Sequence, residues 1–456
     1  MKITLLGGGG VRTPLILQAM AARQAELGLT EVALMDLDAD NLRRVVAVVQ
    51  ALSRSAQLPF HVGTFTEAAP ALHAADFVIT TFRVGDMPAR LLDERIPLAH
   101  GILGQETTGP GGMAMALRSV PVLLGYLETM RAECPRAWLV NFANPSGLLA
   151  QAAFDLGEWR RTVGICDAPL GMQRVAAELL SAPPDEVSLE YFGLNHLGWV
   201  RRVLYQGQDH LPLFLRVLAQ AGSFPGLPFD SGLLASLGLI PNEYLYYYYS
   251  SRAAVANLRA SGATRGQVLL EMNEALKRDL DARIRSEDEA GIVAAYAAYL
   301  QARSSSYMAT ETDRRHPSAG LPPDWVQALA TEGYATVALD VIAALAGARP
   351  RQAVVNLPNG GSIRGMAPSD VVEVAAEISA DRLSPLPVGD IPDHCLGLMK
   401  QVKAFERLTI EAVRDRSLAK ARAALTLHPL VADEAAARAI LDEYREAHRA
   451  YFPGLV

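Results

Sequence analysis

The strongest constraint on the fold is the order of elements in the first 36 residues. An apolar run, Lys2–Leu6, is followed by the four glycines 7–10 and then by a helical stretch over 15–27. A second apolar run, Glu31–Met35, ends on Asp36. A strand, a glycine turn, a helix and a second strand ending on an acid form the pattern of a Rossmann unit. The sequence therefore predicts a dinucleotide-binding start to the chain.

The glycine turn and Asp36 predict which dinucleotide is bound. Gly7, Gly9 and Gly10 would let the backbone approach a pyrophosphate at a helix N-terminus, although Arg12 stands where a third fingerprint glycine is expected. The Asp36 carboxylate would accept hydrogen bonds from a ribose 2′-hydroxyl and repel a 2′-phosphate. We therefore expect NAD rather than NADP. The alternative is a glycine turn that serves only tight packing.

Later apolar runs extend the same architecture. The runs 76–82, 137–142 and 162–166 alternate with helical stretches, which is typical of βαβ units and a parallel sheet. After Pro183 and Pro184 the pattern changes to alternating strands and then to long helices. We predict an α/β fold with an N-terminal Rossmann-type parallel sheet over 1–165. A larger α+β domain, 166–456, would provide substrate binding, metal binding and oligomerisation.

Composition excludes several classes of protein. The chain has 456 residues, too many for one ordinary core, and a formal net charge of −7, which argues against nucleic acid or an anionic membrane as its main partner. No apolar run is long enough to span a bilayer. The only cysteines, Cys134, Cys166 and Cys395, form no disulfide framework. We expect a reduced, cytoplasmic protein.

Polar residues follow the predicted strands where ligands bind in such sheets. Asn144 follows the fourth apolar run, Cys166 and Asp167 follow the fifth, and Asn195 and His196 follow a strand-like run at 190–192. The cysteine and the histidine could ligate a metal or could pair as nucleophile and base. Considered alone, Cys166 would be interpreted as a buried core cysteine, and His196 as a structural histidine. Their shared position at strand ends favours a site.

Three further features are unusual. The segment 83–112 is polar and glycine-rich, contains Arg90, and reads as a functional loop or as a solvated linker. The tyrosine-rich run 244–249 is typical of a core or an interface. Arg265 follows Thr264 at a predicted helix start, where it could hold an anion or lie on the surface.

Together these motifs resemble glycoside hydrolase family 4, the NAD- and metal-dependent glycosidases, over nearly the whole chain. The 6-phospho-β-glucosidases are the subgroup that it resembles most. The motifs that carry the resemblance are Gly7-Gly8-Gly9-Gly10 with Pro14, Ile96-Pro97-Leu98, Gly104-Gln105-Glu106-Thr107, Asn141-Phe142-Ala143-Asn144-Pro145, Cys166-Asp167-Ala168-Pro169, Gly193-Leu194-Asn195-His196, Ile240-Pro241-Asn242-Glu243-Tyr244-Leu245 and His428-Pro429-Leu430.

The resemblance implies a lactate/malate-dehydrogenase-like fold, NAD and a divalent cation such as Mn²⁺, and an elimination route. NAD⁺ takes hydride from sugar C3, a base removes the C2 proton, the aglycone leaves C1, water adds and the hydride returns. The metal ligands would be Cys166 and His196. Tyr244 would be the base and Asp167 an acid or water-handling group. The sugar and its 6-phosphate would be held by Arg90, Asn144, Asn195 and Arg265. The soft thiolate–imidazole pair would by itself suggest zinc. We also expect a homodimer or a homotetramer.

The sequence departs from the family pattern at three places. Many members have serine where Gly10 stands, and the segment Arg303-Ser304-Ser305-Ser306-Tyr307 lacks the two glycines that usually follow the arginine. Asparagine is common in place of Asp167 among β-acting members, whereas aspartate occurs in α-acting ones. A 6-phospho-α-glucosidase therefore remains an alternative.

Two readings outside the family also remain. In the first, the protein is an NAD-dependent hydroxyacid dehydrogenase, with His196 as acid–base and Arg83 or Arg90 clamping a carboxylate. The metal ligand Cys166 and the long second half argue against it. In the second, the protein is a non-catalytic NAD-sensing module, which would not need a cysteine, a histidine and a tyrosine at one cleft.

Overall fold

The computed structural model describes residues 1–53, 58–221, 227–314, 321–330 and 334–452. The strands are β1 Lys2–Leu6, β2 Glu31–Met35, β3 His61–Phe65, β4 Phe77–Thr80, β5 Trp138–Asn141, β6 Thr162–Gly164, β7 Ser188–Leu194, β8 Leu197–Tyr205, β9 Gln208–Asp209, β10 Ile240–Pro241, β11 Arg351–Pro358, β12 Val371–Ser379 and β13 Arg382–Pro385. Short 3₁₀ turns lie at Pro184–Glu186 and Glu243–Leu245.

The helices surround these strands. They are α1 Thr13–Ala22, α2 Gln24–Leu27, α3 Ala39–Leu52, α4 Ala68–Leu72, α5 Asp86–Ala99, α6 Gly109–Glu133, α7 Ser146–Asp155, α8 Ala168–Leu180, α9 Leu211–Ala221, α10 Ser231–Leu237, α11 Tyr246–Tyr249, α12 Ser251–Ser261, α13 Arg265–Arg285, α14 Glu289–Ser305, α15 Ala309–Thr312, α16 Trp325–Ala330, α17 Tyr334–Leu345, α18 Asp393–Asp415, α19 Leu418–Leu427 and α20 Glu434–Ala447.

The first six strands form the predicted Rossmann unit. They run parallel in the order β3-β2-β1-β4-β5-β6, with Lys2 of β1 opposite Glu31 of β2. Ile3 and Leu5 face one hydrophobic cluster while Leu6 faces a second, so helices cover both faces of the sheet. The α/β prediction is confirmed. The edge strand β3 was not predicted, because its residues are partly exposed and include a glycine.

The second half of the chain continues the same sheet. Asn356 of β11 pairs antiparallel with Gly164 of β6, and the order then runs β11-β12-β7-β8-β10. A hydrogen-bonded sheet therefore crosses the proposed boundary between 165 and 166, and that boundary stays a prediction. The helix expected over 15–27 is two helices, α1 and α2, of which α1 begins at Thr13 with Pro14 in its first turn.

Helices of the second half pack over the first. α13 packs against α5, and α14 packs against α3. Both therefore lie beside the carboxyl ends of the parallel strands, where ligands bind in open α/β sheets. Among the described helices, none combines the length and the apolar content needed to cross a membrane.

Candidate active site

A cleft of about 1510 Å³ lies between the carboxyl ends of the parallel strands and helix α13. It brings together all the predicted site residues except Asn195. Its lining includes Gly7, Gly9, Gly10, Asp36, Arg90, Asn144, Cys166, Asp167, His196, Tyr244 and Arg265. The glycine turn and Asp36 lie on stretches of the chain far from those of Cys166, His196 and Tyr244. One cavity therefore joins the dinucleotide motif to the candidate catalytic groups.

The glycine turn leaves β1 in a conformation that requires glycine. Gly7 has φ of +95°, and a Cβ there would lie 2.5 Å from the backbone nitrogen of Phe82. The amides of Gly7 and Gly8 both donate to the carbonyl of Met35, at 2.9 and 2.8 Å. The turn is therefore held against β2 and presents bare backbone to the cleft just before α1. This arrangement fits a pyrophosphate.

Asp36 is held at the end of β2 by backbone amides. Its Oδ2 accepts from Gly9 at 2.9 Å and its Oδ1 accepts from Asp38 at 3.1 Å. Burial raises the pKa of Asp36, while both hydrogen bonds oppose the shift. The side chain faces the cleft beside the glycine turn, which suits a ribose hydroxyl as its partner.

The surroundings of His196 leave one of its ring nitrogens unprotonated and available to a metal. It occupies the tight turn between β7 and β8 with φ of +62° and is 6% exposed. Its Nδ1 lies 2.9 Å from the Thr107 hydroxyl, which lies 2.9 Å from Oε1 of Gln105. Gln105 Oε1 can only accept, so we assign a chain in which Nδ1–H donates to Thr107 and Thr107 donates to Gln105. This tautomer leaves Nε2 unprotonated, as metal binding requires.

Cys166 follows β6 and is buried in the same cleft. Burial, followed by the nearby carboxylates of Glu373 and Asp167, raises the pKa of the thiol well above its usual value, while the Ala168 amide hydrogen-bonds to it. Burial also lowers the pKa of His196 to about 4, which keeps the imidazole neutral. A bound cation would reverse the thiol shift, because coordination deprotonates a cysteine.

The thiol and the imidazole fit a divalent cation whose remaining ligands come from outside the protein. No group of three or more His, Cys, Asp or Glu residues suited to a metal occurs within the described part of the chain. An octahedral cation held by Cys166 and His196 would therefore complete its shell with substrate oxygens and water.

Tyr244 lies directly against His196. The two rings are stacked with centroids 3.6 Å apart and an interplanar angle of 2°. The side chain of Asn242 accepts from the Tyr244 amide at 3.1 Å and thereby caps the short 3₁₀ turn that carries the tyrosine. Burial raises the pKa of Tyr244 well above its ordinary value, and a hydrogen bond from Tyr307 opposes the shift. A cation at His196 would oppose it further.

Arg90 is buried in a network of ion pairs. Its Nε lies 2.8 Å from Glu94 and its Nη1 lies 2.8 Å from Glu106, which also pairs with Arg83 at 2.6 Å. Burial would raise the pKa of Glu106, but the two arginines outweigh it and lower that pKa to about 2. The segment 83–112 is thus an ordered, charged wall of the cleft and not a solvated linker.

Arg265 begins α13 but does not find a free helix N-terminus. The Gly266 amide donates to Oε2 of Glu94 at 2.5 Å, and the Gln267 amide donates to Thr264. The Arg265 guanidinium lies over the ring of Tyr307, at 5.4 Å, and donates to the Ser306 hydroxyl at 2.9 Å. Any anion at this end of the cleft would therefore meet the Arg265 side chain and not the helix amides.

Arg303 is a second cation at this end. It lines the cleft, and its buried Nε has no hydrogen-bond partner among the described residues. Burial lowers the pKa of Arg303, and the nearby Arg12 and Arg265 lower it further. From the sequence, this arginine is identified only as part of a family motif. Its helical position, on α14 facing α13, could not be read from the local sequence.

Asn195 does not enter the cleft. Its amide donates to Glu373 at 3.1 Å, and Glu373 also accepts from Tyr191 at 2.8 Å and from Asn356 at 2.9 Å. Burial raises the pKa of Glu373 to about 7. This buried acid was not predicted from the sequence, although a glutamate within the apolar run 371–376 was the available signal.

Comparison with known proteins agrees with this geometry. Residues 2–182 match the family model described as Family 4 glycosyl hydrolase, and residues 191–431 match the model of its C-terminal domain. A 6-phospho-beta-glucosidase of Escherichia coli (strain K12) is 30% identical over 99% of this chain and 96% of its own. A lactate dehydrogenase from Eimeria maxima, 13% identical with a TM-score of 0.50 over 91% of this chain and 95% of its own, shows a likeness of fold alone.

Two solved structures are similar along their whole length. The 6-phospho-beta glucosidase from Thermotoga maritima, solved with manganese, NAD⁺ and glucose-6-phosphate, is 29% identical with a TM-score of 0.82 over 99% of each chain. A 6-phospho-alpha-glucosidase from gut microorganisms, solved with NAD and Mn²⁺, is 25% identical with a TM-score of 0.84 over 100% of this chain and 99% of its own. With both family models matched across most of its length, the chain belongs to the family 4 glycosyl hydrolases.

Proposed function

We propose that the protein hydrolyses 6-phospho-β-glucosides by NAD-dependent oxidation at C3, elimination across C1 and C2, and addition of water. The observation that carries the proposal is the single cleft. It joins a pyrophosphate-type glycine turn, a thiol–imidazole pair stacked with a tyrosine, and a pair of arginines. A direct displacement at C1 would need neither the glycine turn nor Asp36.

The cofactors in the proposal are NAD, at Gly7, Gly9, Gly10 and Asp36, and Mn²⁺, at Cys166 and His196. Both similar structures were solved with these two cofactors. When bound, NAD accepts and returns the C3 hydride, and the cation stabilises negative charge on the C2 and C3 oxygens. The glycine turn and the bare Nε2 of His196 are the features of this chain that suit them.

The protein's own groups then handle protons and orientation. Tyr244 removes the C2 proton, which the C3 ketone makes acidic, and later returns one. Asp167 handles the leaving group or the incoming water. Arg90 and Asn144 contact the sugar hydroxyls. Asn195 donates its side-chain amide to Glu373 and thereby supports the turn that carries His196.

The phosphate belongs at the arginine end of the cleft. Arg265 and Arg303 approach each other from α13 and α14. Burial lowers the pKa of both guanidinium groups; Arg90 lowers that of Arg265 further, and Arg12 and Arg265 lower that of Arg303. Mutual repulsion of two buried cations is relieved by an anion. A 6-phosphate there would place the sugar ring toward Tyr244 and Cys166.

The anomeric preference is β in this proposal, following the resemblance to the β-acting subgroup. The α alternative has specific support, because Asp167 matches the residue found in α-acting members and one similar structure is a 6-phospho-alpha-glucosidase. The proposal further includes a cytoplasmic location and a homodimer or homotetramer, and light scattering on the purified protein measures the oligomer.

The deciding experiment assays chromogenic 6-phospho-β-glucoside, 6-phospho-α-glucoside and plain β-glucoside with NAD⁺ and Mn²⁺. We expect cleavage of the 6-phospho-β-glucoside without accumulation of NADH, deuterium at C2 of the sugar released in D₂O, and loss of the preference for phosphate in Arg265→Ala. Net NADH formation would indicate the dehydrogenase alternative. A product without deuterium at C2 would exclude the elimination.

A further inference from the structure

Helix α13 forms one continuous wall of the cleft from the arginine end to the dinucleotide end. Arg265 stands at its start, and twelve residues later Lys277 pairs with Asp86 of α5 at 3.6 Å. One turn further along, Asp281 reaches α3, the helix that follows Asp36. The second half of the chain therefore places an acid beside the dinucleotide motif of the first half.

Asp281 engages a cation on α3, the helix that follows Asp36. Arg44 of α3 lines the cleft, and its Nε and Nη2 donate to the two oxygens of Asp281 at 2.9 and 2.7 Å. Its Nη1 donates to Asn41 at 2.9 Å. Each guanidinium nitrogen thus donates one hydrogen bond, and the pair to Asp281 has the bidentate geometry that binds carboxylates and phosphates most strongly. Arg43 also pairs with Asp281, at 3.2 Å.

Arg44 is linked by its hydrogen bond to Asn41 to the place where the ribose is expected, beside Gly9 and Asp36. A Cβ on Gly9 would meet Oδ2 of Asp36 at 2.7 Å and Cβ of Asn41 at 2.8 Å, so Asp36 and Asn41 flank the same glycine. In Rossmann units an acid at the end of the second strand meets the ribose 2′-hydroxyl, and an arginine nearby accommodates a 2′-phosphate. Arg44 has the position and the chemistry for that phosphate, but its Nε/Nη2 edge, the one suited to bidentate binding, is occupied by Asp281.

We propose that Asp281 is a specificity-determining residue that selects a dinucleotide without a 2′-phosphate, because it holds Arg44 away from that group. The inference rests on NAD as the cofactor in the proposed function. Asp36 repels a 2′-phosphate directly, whereas Asp281 acts through Arg44 and removes the cation that would compensate. The competing explanation is that the ion pair only ties α13 to α3, in which case it would affect both dinucleotides equally.

The test measures dissociation constants for NAD⁺ and NADP⁺ by calorimetry on the full chain, without sugar substrate. In Asp281→Asn we expect the affinity for NADP⁺ relative to NAD⁺ to rise about tenfold or more, the effect of one charge-assisted hydrogen bond. Adding Arg44→Met should cancel that gain. Asp279→Asn is the matched control, since Asp279 lies on the same helix but pairs with Arg283.

Each outcome decides the inference. An equal change for both dinucleotides in Asp281→Asn would show a structural tie and overturn it. Should that variant fail to fold, Arg44→Met alone is informative. A sequestered Arg44 predicts an unchanged NADP⁺ to NAD⁺ ratio, and a fall in relative NADP⁺ affinity would overturn the inference. Failure of the wild-type protein to bind NAD⁺ would instead refute the proposed function, and this inference with it.

Discussion

The two ends of the cleft are built in different ways. At the dinucleotide end the glycine turn and Asp36 come from one stretch of chain, 7–36, and are held by backbone hydrogen bonds to the neighbouring strand and by the Asp36 carboxylate. The sugar end is assembled from separate segments, and its side chains are oriented by distant ones. His196 is hydrogen-bonded to Thr107, and the Gly266 amide at the start of α13 donates to Glu94.

The difference shows how separable the two functions are. Backbone geometry at the dinucleotide end depends on glycine and on the parallel sheet, so we expect it to tolerate changes elsewhere in the cleft. The sugar end depends on side-chain networks, in which loss of one member leaves another buried and unpaired. Changes at the sugar end should therefore abolish chemistry and spare nucleotide binding, and the following variants test that separation.

The largest effect is expected for Cys166→Ser. A serine hydroxyl is a far weaker ligand than a thiolate, so Mn²⁺-dependent activity should be lost while the dissociation constant for NAD⁺ changes little. Steady-state rates and calorimetry measure the two effects. Cys134→Ser, at a buried cysteine that does not line the cleft, is the control. Normal activity with unchanged Mn²⁺ affinity in Cys166→Ser would contradict the metal assignment.

Tyr244→Phe should reduce the rate by about 10²–10⁴-fold, the usual contribution of a general base. The ring stack with His196 survives the substitution, so thermal unfolding should stay close to that of the wild type. Tyr246→Phe serves as the comparison, because its hydroxyl donates to Glu311 away from the cleft. If Tyr246→Phe proves as damaging as Tyr244→Phe, the choice of base within the tyrosine run is wrong.

Thr107→Val should weaken Mn²⁺ binding by about 10–100-fold, as loss of a ligand's supporting hydrogen bond commonly does. Valine keeps the shape of threonine but cannot accept the Nδ1 proton of His196, so the tautomer with a bare Nε2 is no longer favoured. Calorimetric titration with Mn²⁺ measures the loss. The neighbouring Thr108→Val leaves the Thr107 hydroxyl in place and should bind Mn²⁺ normally. Equal Mn²⁺ affinity in both variants would disprove the relay.

Gly7→Ala addresses the opposite end and should have the smallest effect on chemistry. The new Cβ would lie too close to the Phe82 backbone. Residue 7 also has φ of +95°, and a residue other than glycine in such a conformation commonly carries strain of about 1–3 kcal/mol. We expect weaker NAD⁺ binding with unchanged Mn²⁺ binding. Gly28→Ala, also at positive φ but with open space around it, should lose stability without losing NAD⁺ affinity. A loss of Mn²⁺ affinity in Gly7→Ala would show that the ends are coupled.

The features that were predictable from the sequence are those formed by local chain segments, as at the dinucleotide end. The runs 2–6 and 31–35 coincide with β1 and β2, because a buried parallel strand is a local apolar pattern. The edge strand β3 was missed, since its residues are partly exposed. Glu373 was missed because its partners, Tyr191, Asn195 and Asn356, lie on other segments, so the glutamate in the apolar run did not reveal that it is buried.

The sequence by itself determined the Rossmann start, the residue types at the strand ends and the family. It could do so because a glycine turn and strand-end residues are placed by local backbone geometry. Only the tertiary structure decided that Glu94 occupies the start of α13, that Asn195 turns to Glu373, and that Asp281 holds Arg44. Each of these contacts joins a charged residue to a partner far away in the chain. The identity of that partner depends on how the helices and strands pack.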